Sequence, residues 1–298
     1  MNTPPSLEAR KRRHAPWLML AAVATFAWMD VGLKLLAAHY PPMQVAALRG
    51  LASLPWVLGW TLATAGARAL WPRRWLLHLL RGGLGVVMIG SFVYALGRMP
   101  MASAYALFFV APLLLTALSG PLLGERVGPR RWAAIGAGML GVWVVLRPSG
   151  TGMRGLAGMA VLLSALCYAL SALMVRVLAR RDSSQAITFW MLAMMAGGAG
   201  VLAWPDWVAL HTASLWLVAA VGLAGALGQY AITEAFRHGE ASLLAPLEYT
   251  ALLWGVALDL ALWGVLPDAM TWLGAAIIIG SGLYLLRRER EHIEAEHP

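Results

Sequence analysis

Apolar residues run along the chain in ten blocks, each long enough to cross the roughly 30 Å hydrocarbon core of a bilayer as one helix. They fall at about 16–38, 43–66, 75–97, 101–122, 130–147, 153–179, 185–204, 214–236, 240–263 and 269–286. The connections are short and carry helix breakers, as at Pro41-Pro42, Trp71-Pro72, Arg147-Pro148 and Pro267-Asp268. Backbone without internal hydrogen bonds cannot face lipid, so the blocks are helices and the breakers mark loops in water. No polar block is long enough to make a separate soluble domain. The pattern predicts an all-α integral membrane protein of ten transmembrane helices in one body.

Composition agrees: 60% of the 298 residues are hydrophobic and 12% charged, with a mean hydropathy of +0.69. The 23 Lys+Arg against 14 Asp+Glu leave a formal charge of +9. In a chain with so little polar surface this excess reads as membrane topology, and no nucleic-acid partner is expected. With the N-terminus cytoplasmic, eighteen of the 23 basic residues fall inside, from Arg10-Lys11-Arg12-Arg13 to Arg287, Arg288 and Arg290. Only Arg98, Arg147 and Arg154 fall outside, and Lys34 and Arg49 lie within helices. Both termini are therefore expected in the cytoplasm of a bacterial inner membrane. Ala22-Val23-Ala24 resembles a leader cleavage site, but the apolar run continues past it through Trp28, so block one is read as a retained span. A single cysteine, Cys167, and seven scattered histidines predict neither a disulfide nor a metal site, and no cofactor is expected.

The halves of the chain answer each other at an offset of about 140 residues. Leu96-Gly97-Arg98-Met99-Pro100-Met101-Ala102-Ser103 corresponds to the stretch from Phe236 to Ala241-Ser242, and Gly141-Val142-Trp143 to Gly282-Leu283-Tyr284. Five helices per copy is an odd number, so the second copy enters the membrane from the opposite side and the repeat is inverted. The organisation predicted is a basic tail (1–15), a first five-helix repeat (16–147), a second (153–286) and a C-terminal tail (287–298). Such a repeat puts a binding site near the midplane between its copies and permits alternating access.

On these residues the sequence resembles the drug/metabolite transporter superfamily, in particular its EamA-type ten-helix members, over nearly the whole chain. The resemblance is carried by Ala47-Leu48-Arg49-Gly50, Met101-Ala102-Ser103-Ala104 and Leu123-Gly124-Glu125-Arg126-Val127-Gly128. In the second half it is carried by Glu240 to Tyr249 and by Trp272-Leu273-Gly274. Where the family repeats the acidic residue after helix 9, this chain has Trp263-Gly264, so Glu125 has no twin. Pro112 and Pro246 do not align either, which points to an asymmetric site.

Ionisable groups inside a bilayer cost about 2.5–3.5 kcal/mol or more each and are functional candidates by default. Asp30 and Lys34 share one face of helix 1, and Arg49 enters helix 2 about 9 Å deep, at the depth of Asp30. Asp30 and Arg49 are read as a pair, either a static brace or a gate or clamp for a substrate carboxylate; Lys34 is close enough to the outer interface to snorkel. Glu248, two residues after Pro246, is the leading candidate for binding a substrate ammonium or exchanging a proton, against an interhelical hydrogen bond as the simpler role. Glu234, four residues before His238, is a candidate relay near the cytoplasmic interface, and Asp259 is expected to be hydrated at the outer end. Trp28, Tyr94, Tyr105, Tyr168 and Tyr249 lie inside spans as candidates to stack on a planar or cationic substrate, with Gln229 a further polar candidate. Trp17, Trp71, Trp75, Trp204 and Trp207 are placed as interfacial belts.

Gly150-Thr151-Gly152-Met153-Arg154-Gly155 matches a dinucleotide fingerprint only in letters, since no strand precedes it, and is read as an external turn. No Walker A motif is present, and no nucleophile–base–orienter set points to an enzyme. The reading is a secondary transporter, proton-coupled or exchanging, for small polar metabolites, with export of amino acids or their derivatives favoured. Uptake of a riboflavin-like or S-adenosylmethionine-like compound is the alternative within the resemblance. A non-transporting membrane scaffold or an enzyme acting on lipid-linked substrates is the alternative of another class. The expected partners are a small-molecule substrate and the lipid bilayer, with the protein a monomer or homodimer.

Overall fold

The computed structural model describes residues 7–124, 127–146, 152–238 and 241–296, and every regular element among them is helical. In chain order these are α1 (Leu7–Ala37), α2 (Pro42–Thr64), α3 (Trp75–Leu96), α4 (Met101–Phe108), α5 (Ala111–Leu123) and α6 (Pro129–Leu146). They continue with α7 (Gly152–Leu178), α8 (Ser184–Ala203), α9 (Thr212–His238), α10 (Ala241–Glu248), α11 (Ala251–Trp263) and α12 (Ala269–Glu296). Eight stretches are long and apolar enough to cross a bilayer, with α4 and α5 together making one of them. The 18-residue α6 and the split α10–α11 supply the other two crossings, so the ten-helix architecture holds.

Three differences from the sequence expectation have physical causes. α1 starts at Leu7 and α12 runs to Glu296, because the basic and acidic flanks end the apolar pattern without ending the helix. Of the glycine-rich turn, Gly152–Gly155 already belong to α7, while Gly150 and Thr151 lie outside the described residues. Most importantly, the fourth and ninth spans are broken, at Phe109-Val110 and at Tyr249-Thr250. Pro112 lacks the N–H that would pair with the Phe108 carbonyl, and Pro246 lacks its own partner bond one turn before the second break.

Helix packing obeys the exchange of the two halves. α1 packs on α9 as α3 packs on α7, α2 on α9 as α8 on α3, and α5 on α7 as α11 on α1. α2 pairs with its counterpart α8, and α6 with α12. The broken spans also end alike, on Gly124 and Gly264 with φ of 74° and 66°, a left-handed cap that a Cβ would disfavour. The repeat is therefore inverted: two five-helix copies cross each other about one pseudo-twofold axis in the membrane.

Both ends of the bundle carry a clamp at equivalent places. At the end remote from the termini, called here the far end, the Gln44 side chain donates to the Val208 carbonyl (2.6 Å) and accepts from its N–H (2.9 Å). Tyr40 donates to the Ser214 hydroxyl (3.0 Å) there. At the near end, Asp182 accepts from the Arg73 N–H (2.6 Å), Trp190 donates to the Leu70 carbonyl (2.8 Å), and Ser183 donates to the Ala69 carbonyl. Buried His78 reaches Asp182 at 3.5 Å. These clamps tie the short loops before α3 and α9 to the opposite half.

Helices meet at van der Waals contact of backbones. A Cβ on Gly222 of α9 would run into the Ala52 carbonyl of α2, where no side chain can yield, whereas one on Gly59 meets nothing within 4 Å. Gly222→Val is expected to destabilise the protein by about 1–3 kcal/mol, lowering its apparent melting temperature in detergent. Gly59→Ala is expected to leave it unchanged or raise it slightly.

Candidate functional site

The two breaks meet. The Phe109 and Tyr249 rings, at equivalent positions of the repeat, pack edge to face with centroids 4.9 Å apart and planes at 79°. Broken helices at membrane depth are tolerated where protein buries them, and they free backbone carbonyls that intact helices would consume. The breaks thus mark the middle of the molecule as the place where a ligand can meet backbone as well as side chains.

Around this crossing the structure collects several of the expected residues. Asp30 of α1 is buried and accepts a 2.7 Å hydrogen bond from the Tyr105 hydroxyl of α4. The Tyr105 ring is nearly parallel to Phe92 of α3 (centroids 6.4 Å, 13°), Phe92 meets Phe108 edge-on (5.5 Å), and Phe108 meets Tyr168 of α7 (5.4 Å). Tyr168 lies within the field of Glu248, the last residue of α10. A row of rings therefore runs from the Asp30 carboxylate to Tyr168, within electrostatic reach of Glu248. Tyr249 beside it keeps its hydroxyl buried, with no hydrogen-bond partner among the described residues, over Gly282 of α12.

The expected Asp30–Arg49 pair is not formed. Asp30 is taken by Tyr105, and Arg49 instead points Nε at the Met29 sulfur (3.4 Å) and an Nη at the Met195 sulfur (3.7 Å), attracted by Asp30 only at longer range. Thioethers are weak acceptors, so this guanidinium keeps donors that a carbonyl or carboxylate would satisfy far better. Hydrogen bonds to charged groups are worth about 1.5–3 kcal/mol each.

Lys34 does not snorkel. Its ammonium lies 3.1 Å from Asp259 of α11 and 4.2 Å from the centre of the Trp263 ring. Asp259, expected to be hydrated, is completely buried, and its second oxygen accepts the Ala102 N–H at 2.9 Å. Pro100 precedes α4 and offers no side-chain cap, so a carboxylate from the other half satisfies the first turn of that helix. A cleft of about 270 Å³ opens beside this group, lined by Lys34, Arg98, Met99, Asp259, Trp263 and neighbours.

Other candidates lie elsewhere. Trp28 is 53% exposed, two residues and some 200° around α1 from Asp30, so it faces outward rather than the aromatic row. Tyr94 carries the Arg98 guanidinium over its ring at 3.7 Å, toward the far end. Gln229 and Glu234 are half-buried on α9, and Glu125 and Glu240 lie outside the described residues. Trp17 of α1, Trp75 and Trp204 at helix ends, and Trp71 and Trp207 in the loops before α3 and α9 are exposed, consistent with interfacial belts. Sequence reasoning missed His78 with Asp182, and misjudged Asp259. The only signal for the latter was a carboxylate and Lys34 at similar depth on helices far apart in the chain.

Comparison with known proteins fits this architecture. The model of the EamA-like transporter family matches residues 14–147 and 155–287. A riboflavin transporter of Rhizobium johnstonii is 32% identical, the match covering 92% of this chain and 91% of that one. A pseudopaline exporter of Pseudomonas aeruginosa is 27% identical (92% and 96% covered). An S-adenosylmethionine uptake transporter of Rickettsia prowazekii is 25% identical (94% and 95% covered). One solved crystal structure, 20% identical, covers 93% of this chain and 99% of its own with a TM-score of 0.63, a likeness of fold. The family match spans both five-helix copies, and the packing shows those copies crossing as an inverted repeat; the chain belongs to the EamA-like transporter family.

Proposed function

We propose that the chain is a secondary transporter of a bacterial inner membrane that takes up a planar, nitrogen-containing metabolite of the riboflavin type. The carrying observation is the row of rings between Asp30 and Glu248, with Arg49 beside its Asp30 end. A flat heterocycle stacks on such rings, its carbonyl oxygens accept from Arg49, and its N–H groups donate to a carboxylate. The similarity to a riboflavin transporter supports this reading and moves the preference away from the export of amino acids expected from sequence.

Export of a zwitterionic amino-acid derivative is the second reading. It is favoured by one observation, a guanidinium whose hydrogen-bond acceptors among the described residues are two neutral sulfurs, with the Asp30 carboxylate at longer range. An α-carboxylate would sit on Arg49 and an ammonium on Asp30. In either case energy comes from an ion gradient or from exchange, and a protonated Glu248 is a means of coupling.

Two outcomes are expected. In a riboflavin auxotroph that lacks its own uptake, the wild type restores growth at low external riboflavin and accumulates labelled riboflavin. Glu248→Gln or Arg49→Met lowers the initial rate at least about tenfold at equal membrane levels, a loss of about 1.4 kcal/mol or more in binding or barrier. No accumulation by correctly inserted wild type overturns uptake, and an amino-acid derivative appearing in the medium instead establishes the second reading. Topology is tested separately. Green fluorescent protein fused after Pro298 should fluoresce and alkaline phosphatase fused there should stay inactive, the outcome expected from the distribution of basic residues if both termini are cytoplasmic; the reverse pair contradicts it.

A further inference from the structure

Lys34 stands one helical turn beyond Asp30 toward the far end, about 6 Å along α1. Its bond to Asp259 joins the first half of the chain to the second, and the other oxygen of Asp259 holds the start of α4. Three helices thus converge on one carboxylate. On the far side lies the cleft of about 270 Å³, with both residues in its wall. On the inner side Leu33, Ala102 and Tyr105 are buried, and the Tyr105 hydroxyl reaches Asp30. The pair therefore sits between an outward-reaching cleft and the row of rings.

We propose that the Lys34–Asp259 pair is the latch of the far gate, closed in this structure and parted when the central site opens toward the far face. The inference rests on the transporter reading and adds to it the place where the path is shut. Two features suit the pair to open rather than merely to brace. Because both residues line the cleft, water follows the ammonium as it leaves, which offsets the loss of its partner. Because the two oxygens of Asp259 have separate tasks, Lys34 can depart while Ala102 stays bonded, so α4 is not uncapped by opening. Trp263, under the ammonium, gives it a second contact in the closed state that the same movement releases.

The separate tasks of the two oxygens also allow the test. Asp259→Asn keeps an oxygen for the Ala102 N–H and removes the charge that holds Lys34, and Lys34→Met removes the cation and spares Asp259. The reporter is Ala106→Cys in a Cys167→Ser background; Ala106 is completely buried one turn inside Ala102. A membrane-impermeant maleimide is applied to the far face of the full-length protein in proteoliposomes. Lys34→Met and Asp259→Asn should each raise the labelling rate at least fivefold, and Lys34→Arg should not. Unchanged rates in both variants, or no labelling in any, overturn the latch; a lower melting temperature alone marks a static brace. Riboflavin uptake measured on the same preparations separates the two readings. Labelling as expected without riboflavin uptake keeps the latch and removes riboflavin as the substrate, and uptake with unchanged labelling does the converse.

Discussion

Hydrocarbon cannot hydrogen-bond to a peptide group, and this constraint governs the whole chain. It makes every crossing helical and confines irregular backbone to places that protein covers. The breaks at Phe109-Val110 and Tyr249-Thr250 satisfy it by covering each other, ring against ring, at the crossing of the two halves. Everything that looks functional is arranged from there outward. A row of aromatic rings leads from Asp30 to Tyr168, within electrostatic reach of Glu248, and the Lys34–Asp259 ion pair sits one turn further out.

The same constraint explains why buried charges here are few and mostly shared across the inverted repeat. The Lys34–Asp259 ion pair joins the halves at the far end, and Asp182, which accepts the Arg73 N–H beside buried His78, joins them at the near end. Breaking a buried ion pair by removing one partner costs about 3–5 kcal/mol in a protein interior. Neutral bonds do comparable work opposite, where Tyr40 and Gln44 hold the loop before α9. The bundle is symmetric in its backbone and asymmetric in its chemistry, as expected of a path whose two ends face different compartments.

How much of this was legible in the sequence follows from the range of each interaction. Spans, repeat and belts are local or periodic, and the apolar blocks and the 140-residue offset revealed them. The breaks were only half visible. Pro112 follows its break and Pro246 precedes the other, so the two marks do not align although the breaks do. Asp30 and Glu248 could be singled out because a carboxylate in an apolar run is conspicuous. Their partners could not, since Tyr105 is 75 residues from Asp30 in sequence and Asp259 is 225 from Lys34. Arg49 was read as the partner of Asp30, but periodicity does not say that Tyr105 would reach Asp30 first.

We propose that the far cleft opens in alternation with the near ends of α5 and α9, about the crossed breaks. Pulsed-EPR distances in nanodiscs test it directly, in a Cys167→Ser background with spin labels at Arg98 and Val265 for the far end and at Leu122 and Thr233 for the near end. On changing between riboflavin-free and riboflavin-saturated samples, the account predicts opposite shifts, one distance distribution widening as the other narrows. Two distributions that stay fixed, or that move in the same direction, would contradict it.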